Sequence, residues 1–383
     1  MKVRQLAANA LLVLFSLAVG LVLCEVGSRL LFNPADYLSA TMLSDQILGI
    51  RIAPGSAGFD DWGFRNAAVP ENVDVVAIGD SHTFGNTARM MDAWPQVVAR
   101  HTGLSVYNLG VGGYGPNQYY QLLTTRGLSL RPKQVVVGLY MGDDFENAFS
   151  ITYGLEHWAY LRADRRRTVN ADIWGDSEPP GQFKSVRNWF SRNSVIYRLL
   201  VHGPVLGAIK GTLQFNLAEG QSDPSVTSYQ DPNGRIREAF RPLRVAAGLD
   251  QGRSEVQEGM RITFHLLNEM NRACREKGCS LSVVIIPTKE TVFAEYLLPA
   301  QELHLKDTIK SLIANERVAR GKLVAFLDEA EIPYVDALPS LRKTVGDELY
   351  YRGPADMHPS KNGYKVIGDV VAGLLEQPSS DAR

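Results

Sequence analysis

The sequence predicts an α/β fold in which an open, mostly parallel sheet carries helices on both faces. From residue 72 onward, short apolar runs alternate with longer amphipathic segments, as strands alternate with helices in such folds. Ahead of this pattern, Leu6 to Cys24 is almost uninterruptedly apolar, which is close to the minimum length for a helix that crosses a bilayer. We therefore expect an N-terminal membrane helix followed by a large α/β domain.

Each element has its own signal. The first predicted strand, VDVVAIG, is nearly continuous in apolar residues, as expected of a parallel strand covered on both faces. The five predicted strands are 73–79, 104–110, 133–142, 281–287 and 332–338. The predicted helices are 94–103 (ended by a glycine), 116–128 (begun by a proline), 256–278 and 361–376.

The N-terminal segment, residues 1–32, is predicted to be an uncleaved signal anchor rather than a cleaved signal peptide. Lys2 and Arg4 precede the apolar stretch, and positive charges stay on the cytoplasmic side. Small residues suitable for cleavage occur only weakly, at Val26-Gly27-Ser28. The rest of the chain would then lie outside the cytoplasm, attached to the inner membrane and facing a periplasm if the cell is Gram-negative.

The remaining chain divides into a connector at 33–70 and one large domain at 71–383. The domain is interrupted at 150–253 by a loop-rich stretch, which we interpret as an insertion. That insertion could form a lid, contact a partner, lie on the membrane surface, or have no direct role. Cys274 and Cys279 could form a disulfide or remain ordinary thiols.

Composition narrows the possible functions of the 383-residue chain. Its net charge of -1 gives no electrostatic reason to expect a nucleic-acid partner. The sequence has neither a GxxxxGK[ST] phosphate loop nor a cysteine–histidine framework for zinc, so we expect no cofactor and no metal.

Candidate catalytic residues lie at opposite ends of the domain. Ser81 follows the first predicted strand, and a serine becomes a nucleophile when an oriented histidine accepts its proton. His82 adjoins Ser81 and is badly placed to reach its hydroxyl, whereas Asp356 and His358 lie in a loop just before the last helix. The alternative is that Ser81 caps one helix while Asp356 and His358 cap another.

These residues, taken in order, resemble the SGNH or GDSL esterases and acyltransferases. Gly79-Asp80-Ser81 is similar to their first block, NLGVGGYG to their second, and Asp356-x-His358 to their last. The resemblance implies a flavodoxin-like three-layer fold with about five parallel strands. It also implies that Ser81 attacks, that His358 acts as base and acid, and that Asp356 orients His358. The N–H groups of Ser81 and Gly113 would stabilise the oxyanion.

The third block departs from the family pattern. Where the family has G-N-D, with an asparagine that donates to the oxyanion, this chain has Gly142-Asp143-Asp144. An ionised Asp143 would repel an oxyanion. Three explanations stay open: Asp143 is protonated and donates, Asn147 replaces it, or the site is slow or adapted to another reaction.

A further segment, VVIIPTKETVFAEYL, resembles membrane-linked SGNH proteins that acetylate exopolysaccharides, including alginate acetylation proteins. Lys289 and Glu290 would line the cleft, with Lys289 binding substrate, or would be solvated residues that open a helix. The resemblance implies an enzyme that removes or adds acyl groups, mainly acetyl, on a glycan or a small ester. Its partners would be the membrane and polysaccharide-modification machinery. The alternative is a catalytically weak glycan-binding or assembly protein.

Overall fold

The computed structural model describes residues 2–169, 182–202, 223–346, 348–350 and 356–376. It confirms the predicted α/β fold, with a five-stranded parallel sheet between two helical layers. The strands are β1 (Met42–Asp45), β2 (Gly49–Ile52), β3 (Val75–Gly79), β4 (Val106–Asn108), β5 (Gln134–Tyr140), β6 (Thr227–Gln230), β7 (Arg237–Phe240), β8 (Ser280–Ile286) and β9 (Tyr334–Asp336).

Helices make up most of the remaining described chain. They are α1 (Lys2–Leu31), α2 (Ser81–Phe84), α3 (Trp94–Thr102), α4 (Pro116–Thr125), α5 (Asp144–Gly154), α6 (Gln182–Asn193), α7 (Val195–His202), α8 (Pro242–Leu249), α9 (Ser254–Glu276), α10 (Lys289–Val292), α11 (Ala294–Leu297), α12 (Lys306–Glu329), α13 (Leu338–Lys343) and α14 (Lys361–Leu375).

The parallel sheet has the strand order β4-β3-β5-β8-β9. Counted along the chain within this sheet, the order is 2-1-3-4-5, which is the flavodoxin-like arrangement. The order reverses at β3, which pairs with β4 on one side and with β5 on the other. Ligands in open parallel sheets bind beyond the carboxyl ends of the strands at this kind of reversal.

Successive side chains of each strand point to opposite faces of the sheet, as the two-residue period of a strand requires. On β3, Val76 and Ile78 pack into a core with α4, α9 and α12. Val75 and Ala77 pack into the opposite core with α3, α13 and α14. Both layers bury the sheet, which explains why its strands read as continuous apolar runs.

Helix α12 is absent from the predicted pattern. Its buried apolar residues form only a narrow stripe, and charged, polar and partly exposed apolar residues are mixed over the other positions. The stripe consists of Ile309, Leu312, Ala319, Leu323 and Leu327. The packing of this stripe against the sheet outweighs a weak local signal.

The predicted connector at 33–70 packs closely against the domain. It contains the hairpin β1–β2 and places Phe59 and Phe64 in the core. The buried Arg65 donates to the carbonyl oxygens of Gly85 and Ala88 at 2.9 Å each. These contacts tie the connector to the turn after α2.

The predicted insertion is only partly described, because residues 170–181 and 203–222 lie outside the described chain. Its described parts include α6, α7, the antiparallel hairpin β6–β7 and α8. Cys274 and Cys279 are free thiols, and the Cys279 Sγ lies 3.4 Å from the Cys274 carbonyl oxygen.

Helix α1 is long and apolar enough to cross a membrane between Arg4 and Leu31, with a mean hydropathy of 2.5 in its most apolar window. None of that window is buried inside the protein. A signal sequence near an N-terminus has the same length and apolar composition.

Gly259 marks the closest approach of α9 to α5. A Cβ added there would collide with the backbone carbonyl of Phe145. We expect Gly259→Ala to lower the free energy of unfolding by about 1–3 kcal/mol, because backbone cannot move aside as a side chain can. Thermal unfolding of the full chain in detergent measures this.

Gly321→Ala on α12 is the matched control, since, apart from the adjoining backbone of its own helix, no described atom lies within 4 Å of its added Cβ. We expect it to stabilise the protein by about 1 kcal/mol through helix propensity alone. An unchanged melting temperature in Gly259→Ala would mean that the two helices are farther apart than described.

Candidate active site

Ser81 stands at the carboxyl end of β3, where the chain turns sharply into α2. Gly79 permits this turn, because a Cβ there would collide with the Thr83 side chain and lie 2.8 Å from the Gly138 carbonyl oxygen. The Asp80 side chain caps α2 by accepting from the backbone N–H of His82 at 2.8 Å. Ser81 is therefore not the cap of this helix, and its hydroxyl is directed to other partners.

Asp356 and His358 lie in the loop before α14. The backbone N–H of His358 donates to Asp356 Oδ1 at 2.9 Å, and the ring Nδ1 lies 2.7 Å from the same oxygen. Helix α14 is capped by Ser360, whose side chain accepts from the N–H of Asn362. The capping alternative therefore fails at this end of the chain as well.

The structure brings the two ends together. His358 Nε2 lies 2.8 Å from Ser81 Oγ, a normal hydrogen-bond distance. Two further bonds hold the loops in register: Thr87 Oγ1 donates to the Pro359 carbonyl at 2.9 Å, and Tyr364 Oη donates to the Asn86 carbonyl at 2.9 Å. The result is a Ser–His–Asp arrangement.

Asp356 is set up to remain ionised. Its burial opposes ionisation, but the hydrogen bond and charge of His358 outweigh that effect and hold the pKa of Asp356 below its ordinary value. An ionised Asp356 fixes the Nδ1–H tautomer of His358, which leaves Nε2 free to accept the proton of Ser81.

A second aspartate–histidine pair, Asp80 and His82, adjoins the first and has the same spacing in the sequence. Asp80 Oδ2 lies 3.0 Å from His82 Nδ1 and 3.3 Å from Ser81 Oγ. The buried His82 ring stacks on Tyr140 with centroids 3.9 Å apart. Its direct hydrogen bonds go to Asp80, so His82 supports the turn rather than the Ser81 hydroxyl, as the sequence indicated.

The loop after β4 runs beside Ser81. Val111 N–H donates to the Gly79 carbonyl at 3.1 Å, and Asn108 Nδ2 donates to the Thr83 carbonyl at 2.8 Å. A Cβ at Gly112 would lie 3.7 Å from Ser81 Cβ, and Gly113 follows with a positive φ of 78°. Gly113 therefore lies in the segment nearest Ser81, where a backbone donor is expected.

Asp143 lies just beyond β5, at the start of α5. It makes no side-chain capping bond, and its Oδ1 is buried without a hydrogen-bond partner among the described residues. Burial, and after it the negative charge of Asp80, raise the pKa of Asp143 to about 8. A raised pKa favours the neutral acid, the form of a carboxyl group that can donate a hydrogen bond.

The neighbouring Asp144 has hydrogen-bond partners, but burial and the charges of Asp80 and Asp143 raise its pKa well above its ordinary value as well. Tyr119 Oη donates to Asp144 Oδ1 at 2.7 Å, and Tyr140 N–H donates to Oδ2 at 2.9 Å. One oxygen each of Asp80, Asp143 and Asp144 lies within 4.8 Å of the others. This crowding of carboxyl groups raises the pKa of both Asp143 and Asp144, so protonation within the group reduces their repulsion.

Asn147 lies one turn along α5, where its backbone N–H donates to the Asp143 carbonyl at 2.8 Å. A Cβ at Gly115 would come within 2.7 Å of Asn147 Cβ, so this side chain packs closely against the loop after β4. Among the described contacts, none joins Asn147 to Ser81. Replacement of Asp143 by Asn147 as a donor remains a prediction.

Lys289 lies behind the site instead of lining the cleft. The side chain is 2% exposed, and its Nζ lies 2.7 Å from Glu238 Oε2. It also donates to the carbonyls of Ala239 at 3.1 Å and Asp356 at 3.3 Å. With its three donors directed at protein atoms, Lys289 does not fit the expected contact with substrate.

Glu290 is also buried, so neither residue is a solvated opener of α10. Burial raises the pKa of Glu290 to about 7.

Glu238 is a site residue that the sequence analysis missed. It lies on β7, in a hairpin whose turn is Asp231-Pro232-Asn233-Gly234. A DPNG turn between short alternating segments is a hairpin signal that could have placed β6 and β7. The pairing of Glu238 with Lys289 could not have been found from spacing, because the two residues lie on unrelated elements.

No protein-family model matches the chain, and no curated protein matches it. Solved structures are similar to it over most of its length. The extracellular lipase from Streptomyces rimosus is 12% identical, with 79% of this chain and 99% of that chain covered and a TM-score of 0.39.

Two further structures show a similar relationship. A GDSL-like lipase from Bacteroides thetaiotaomicron is 12% identical, with 79% of this chain and 87% of that chain covered and a TM-score of 0.34. A lipase/acylhydrolase from Enterococcus faecalis is 13% identical, with 78% and 93% covered and a TM-score of 0.34. Similarity at this level does not transfer activity, so the chemistry of the site follows from its own geometry.

The raised pKa of Asp143 has a consequence for stability. The native protein retains this proton between the ordinary pKa of 3.8 and the raised value of about 8, whereas the unfolded chain loses it. Stability is therefore lost as the pH rises through that window. We expect Asp143→Asn to stabilise the protein, with a gain that grows from pH 4 to pH 8.

Urea unfolding of the full chain across this pH range measures the gain. Glu329→Gln, which removes an exposed carboxylate on α12, is the control and should show no such growth. A gain for Asp143→Asn that is independent of pH would mean that Asp143 is ionised in the native protein.

Proposed function

We propose that this chain is an SGNH-type serine esterase or O-acyltransferase that works through an acyl-enzyme at Ser81. The observation that carries the proposal is the chain of contacts from Ser81 Oγ to His358 Nε2 at 2.8 Å and from His358 Nδ1 to Asp356 Oδ1 at 2.7 Å. Nucleophile, base and orienting carboxylate thus meet in the order that acyl transfer requires.

The reaction would proceed in two halves. Ser81 Oγ attacks the ester carbonyl while His358 Nε2 takes the hydroxyl proton, and Asp356 stabilises the imidazolium that forms. His358 then gives this proton to the departing alcohol, leaving the acyl group on Ser81. In the second half, water or a sugar hydroxyl attacks the acyl-enzyme and His358 again takes and returns one proton.

The oxyanion would be stabilised by the N–H groups of Ser81 and Gly113 and by the protonated carboxyl of Asp143. A carboxylic acid kept neutral by an apolar setting can act as such a donor. The buried, unpartnered Oδ1 of Asp143 and its raised pKa support this role. The chain would thereby use an acid where the family pattern has an amide.

The proposal also covers the substrate of the enzyme and the place of the protein in the cell. The PTKETVF segment resembles exopolysaccharide-acetylating proteins, and α1 is a candidate membrane span. We infer an inner-membrane protein whose catalytic domain faces the periplasm and whose substrates are acetyl esters of a glycan, within polysaccharide-modification machinery. The domain would comprise residues 71–383, with 1–32 as anchor and 33–70 joining the two.

Covalent labelling tests the catalytic part. We expect the full chain in detergent to react at Ser81 with a fluorophosphonate probe and to release nitrophenol from p-nitrophenyl acetate. Ser81→Ala should abolish labelling, and His358→Ala should lower kcat by about 10³-fold or more. His304→Ala, an exposed histidine on the surface, should behave as the parent chain.

If Ser81 is not labelled at any pH, the proposed enzymatic activity is wrong. That result would support the alternative, a glycan-binding or assembly protein. If labelling occurs, an oligosaccharide acceptor separates the two reactions, because transfer places acetyl on the sugar and hydrolysis releases acetate.

Lys289 is proposed as a positioning residue, because it holds the Asp356 carbonyl without touching the reacting atoms. We expect Lys289→Met to lower kcat by about 10- to 100-fold with little change in KM, since small displacements of a catalytic group are costly. It should also destabilise the fold by about 3–5 kcal/mol, because Glu238 is left as an unpaired buried charge.

The double variant Lys289→Met/Glu238→Gln separates the two effects. It should recover much of the stability but not kcat, because the donor to Asp356 is still missing. Recovery of kcat together with stability would reduce Lys289 to a structural role.

A further inference from the structure

We propose that α6 and α7 lie on the surface of an anionic lipid bilayer, held there by the polar end of α1. This rests on the proposed anchoring of the chain by α1, and it gives a role to the part of the insertion that the catalytic site does not use. The partner is a lipid surface that presents negatively charged headgroups.

The first observation is a polar clasp, formed by Glu25 and Arg29 of α1 around the junction between α6 and α7. The Glu25 carboxylate accepts from the backbone N–H groups of Val195 at 2.9 Å and Ile196 at 3.2 Å. The Ser194 hydroxyl donates to the same carboxylate at 2.9 Å. Glu25 thus satisfies the free N–H groups at the start of α7.

Arg29 completes the polar clasp from the next turn of α1. Its Nη2 donates to the Asn193 carbonyl at 2.6 Å, at the end of α6. Its Nε pairs with Glu25 at 2.8 Å. The end of one helix and the start of the next are therefore both bonded to α1, which fixes the junction beside it.

The position of the polar clasp along α1 determines how deep it would lie in a bilayer that α1 spans. The apolar stretch ends at Cys24, and Glu25 follows directly. At about 1.5 Å of rise per residue, Arg29 lies only about 6 Å further along the axis. If α1 spans a bilayer, the polar clasp lies at the boundary between hydrocarbon and headgroups, and so does the junction it holds.

The side chains of α6 and α7 suit that boundary. Trp189 is one turn before Asn193 and is 59% exposed; Val186 is 56% and Leu200 is 64% exposed. Tryptophan favours the membrane interface, where its ring meets acyl chains and its N–H meets water. Among the residues that the structure describes, none covers these exposed apolar groups.

Charge favours an anionic surface. Arg187 and Arg192 lie on α6 among these apolar residues and are exposed. An amphipathic helix with aromatic and basic residues binds in the plane of the interface, and each cation near anionic lipid adds attraction. The same contacts favour retention of α1, because cleavage near Val26-Gly27-Ser28 would remove Glu25 from the folded protein.

Quenching by brominated lipid tests the proposal with the full chain in vesicles. We expect phosphatidylcholine brominated near the headgroup end of its acyl chains to quench tryptophan emission, and Trp189→Phe to lose most of that quenching. Trp62→Phe, which removes a half-buried tryptophan of the connector, is the matched control and should keep it. Equal quenching in Trp189→Phe and the parent chain would overturn the proposal.

Two further experiments test the negative charge of the lipid surface and the polar clasp separately. Adding phosphatidylglycerol to the vesicles should increase quenching of Trp189, and Arg187→Gln/Arg192→Gln should remove that increase. Glu25→Ala should reduce quenching while the chain stays in the vesicles. No response to phosphatidylglycerol would overturn the anionic preference.

Esterase activity keeps the two proposals apart. Hydrolysis of p-nitrophenyl acetate without quenching of Trp189 would reject the membrane-surface proposal and leave the enzyme intact. Quenching of Trp189 without hydrolysis would reject the proposed enzyme and leave the membrane-surface proposal intact. A mature chain found to begin beyond Glu25 would reject the polar clasp directly.

Discussion

The hydrogen bond between Ser81 Oγ and His358 Nε2 joins positions that are 277 residues apart in sequence. It can form because both residues lie at the carboxyl edge of one parallel sheet, beside the strand where the order reverses. The sheet brings the two loops near each other. The hydrogen bonds that Thr87 and Tyr364 make between the loops hold them together. Every proposed chemical step depends on this alignment.

The carboxyl groups around that bond differ in exposure and in the direction of their pKa shifts: Asp80 is buried, whereas the Asp356 side chain is 30% exposed. The pKa values of Asp80 and Asp356 stay low because each has a histidine partner that outweighs the effect of burial. The pKa of Asp143 is raised because burial dominates and its nearest charge is another aspartate. One small volume thus contains an aspartate whose pKa is lowered beside His358 and another whose pKa is raised.

The sequence predicted those features of the fold that depend on residues close together in the chain. The five strands, Pro116 at the start of α4 and the terminal helix follow from periodicity and from residues with special backbone preferences. The meeting of Ser81 with His358 was predicted from the end of the first strand, from the loop before the last helix and from the resemblance to the SGNH family. Lys289 was misplaced, because a charged residue at a helix start is ordinarily exposed, and the partner that permits its burial lies on β7. Contacts between remote elements leave no periodic trace in a single sequence.

The bond between Lys289 and Glu238 also bears on how this domain could have diverged. The hairpin that carries Glu238 lies in the stretch that the sequence predicts to be an insertion, yet its carboxylate pairs with a lysine that reaches the loop of Asp356. A relative that lost this hairpin while keeping the lysine would bury an uncompensated cation. Descent should therefore have gained or lost the two residues as a pair, so that the inserted hairpin and the core of the domain evolve as a single unit.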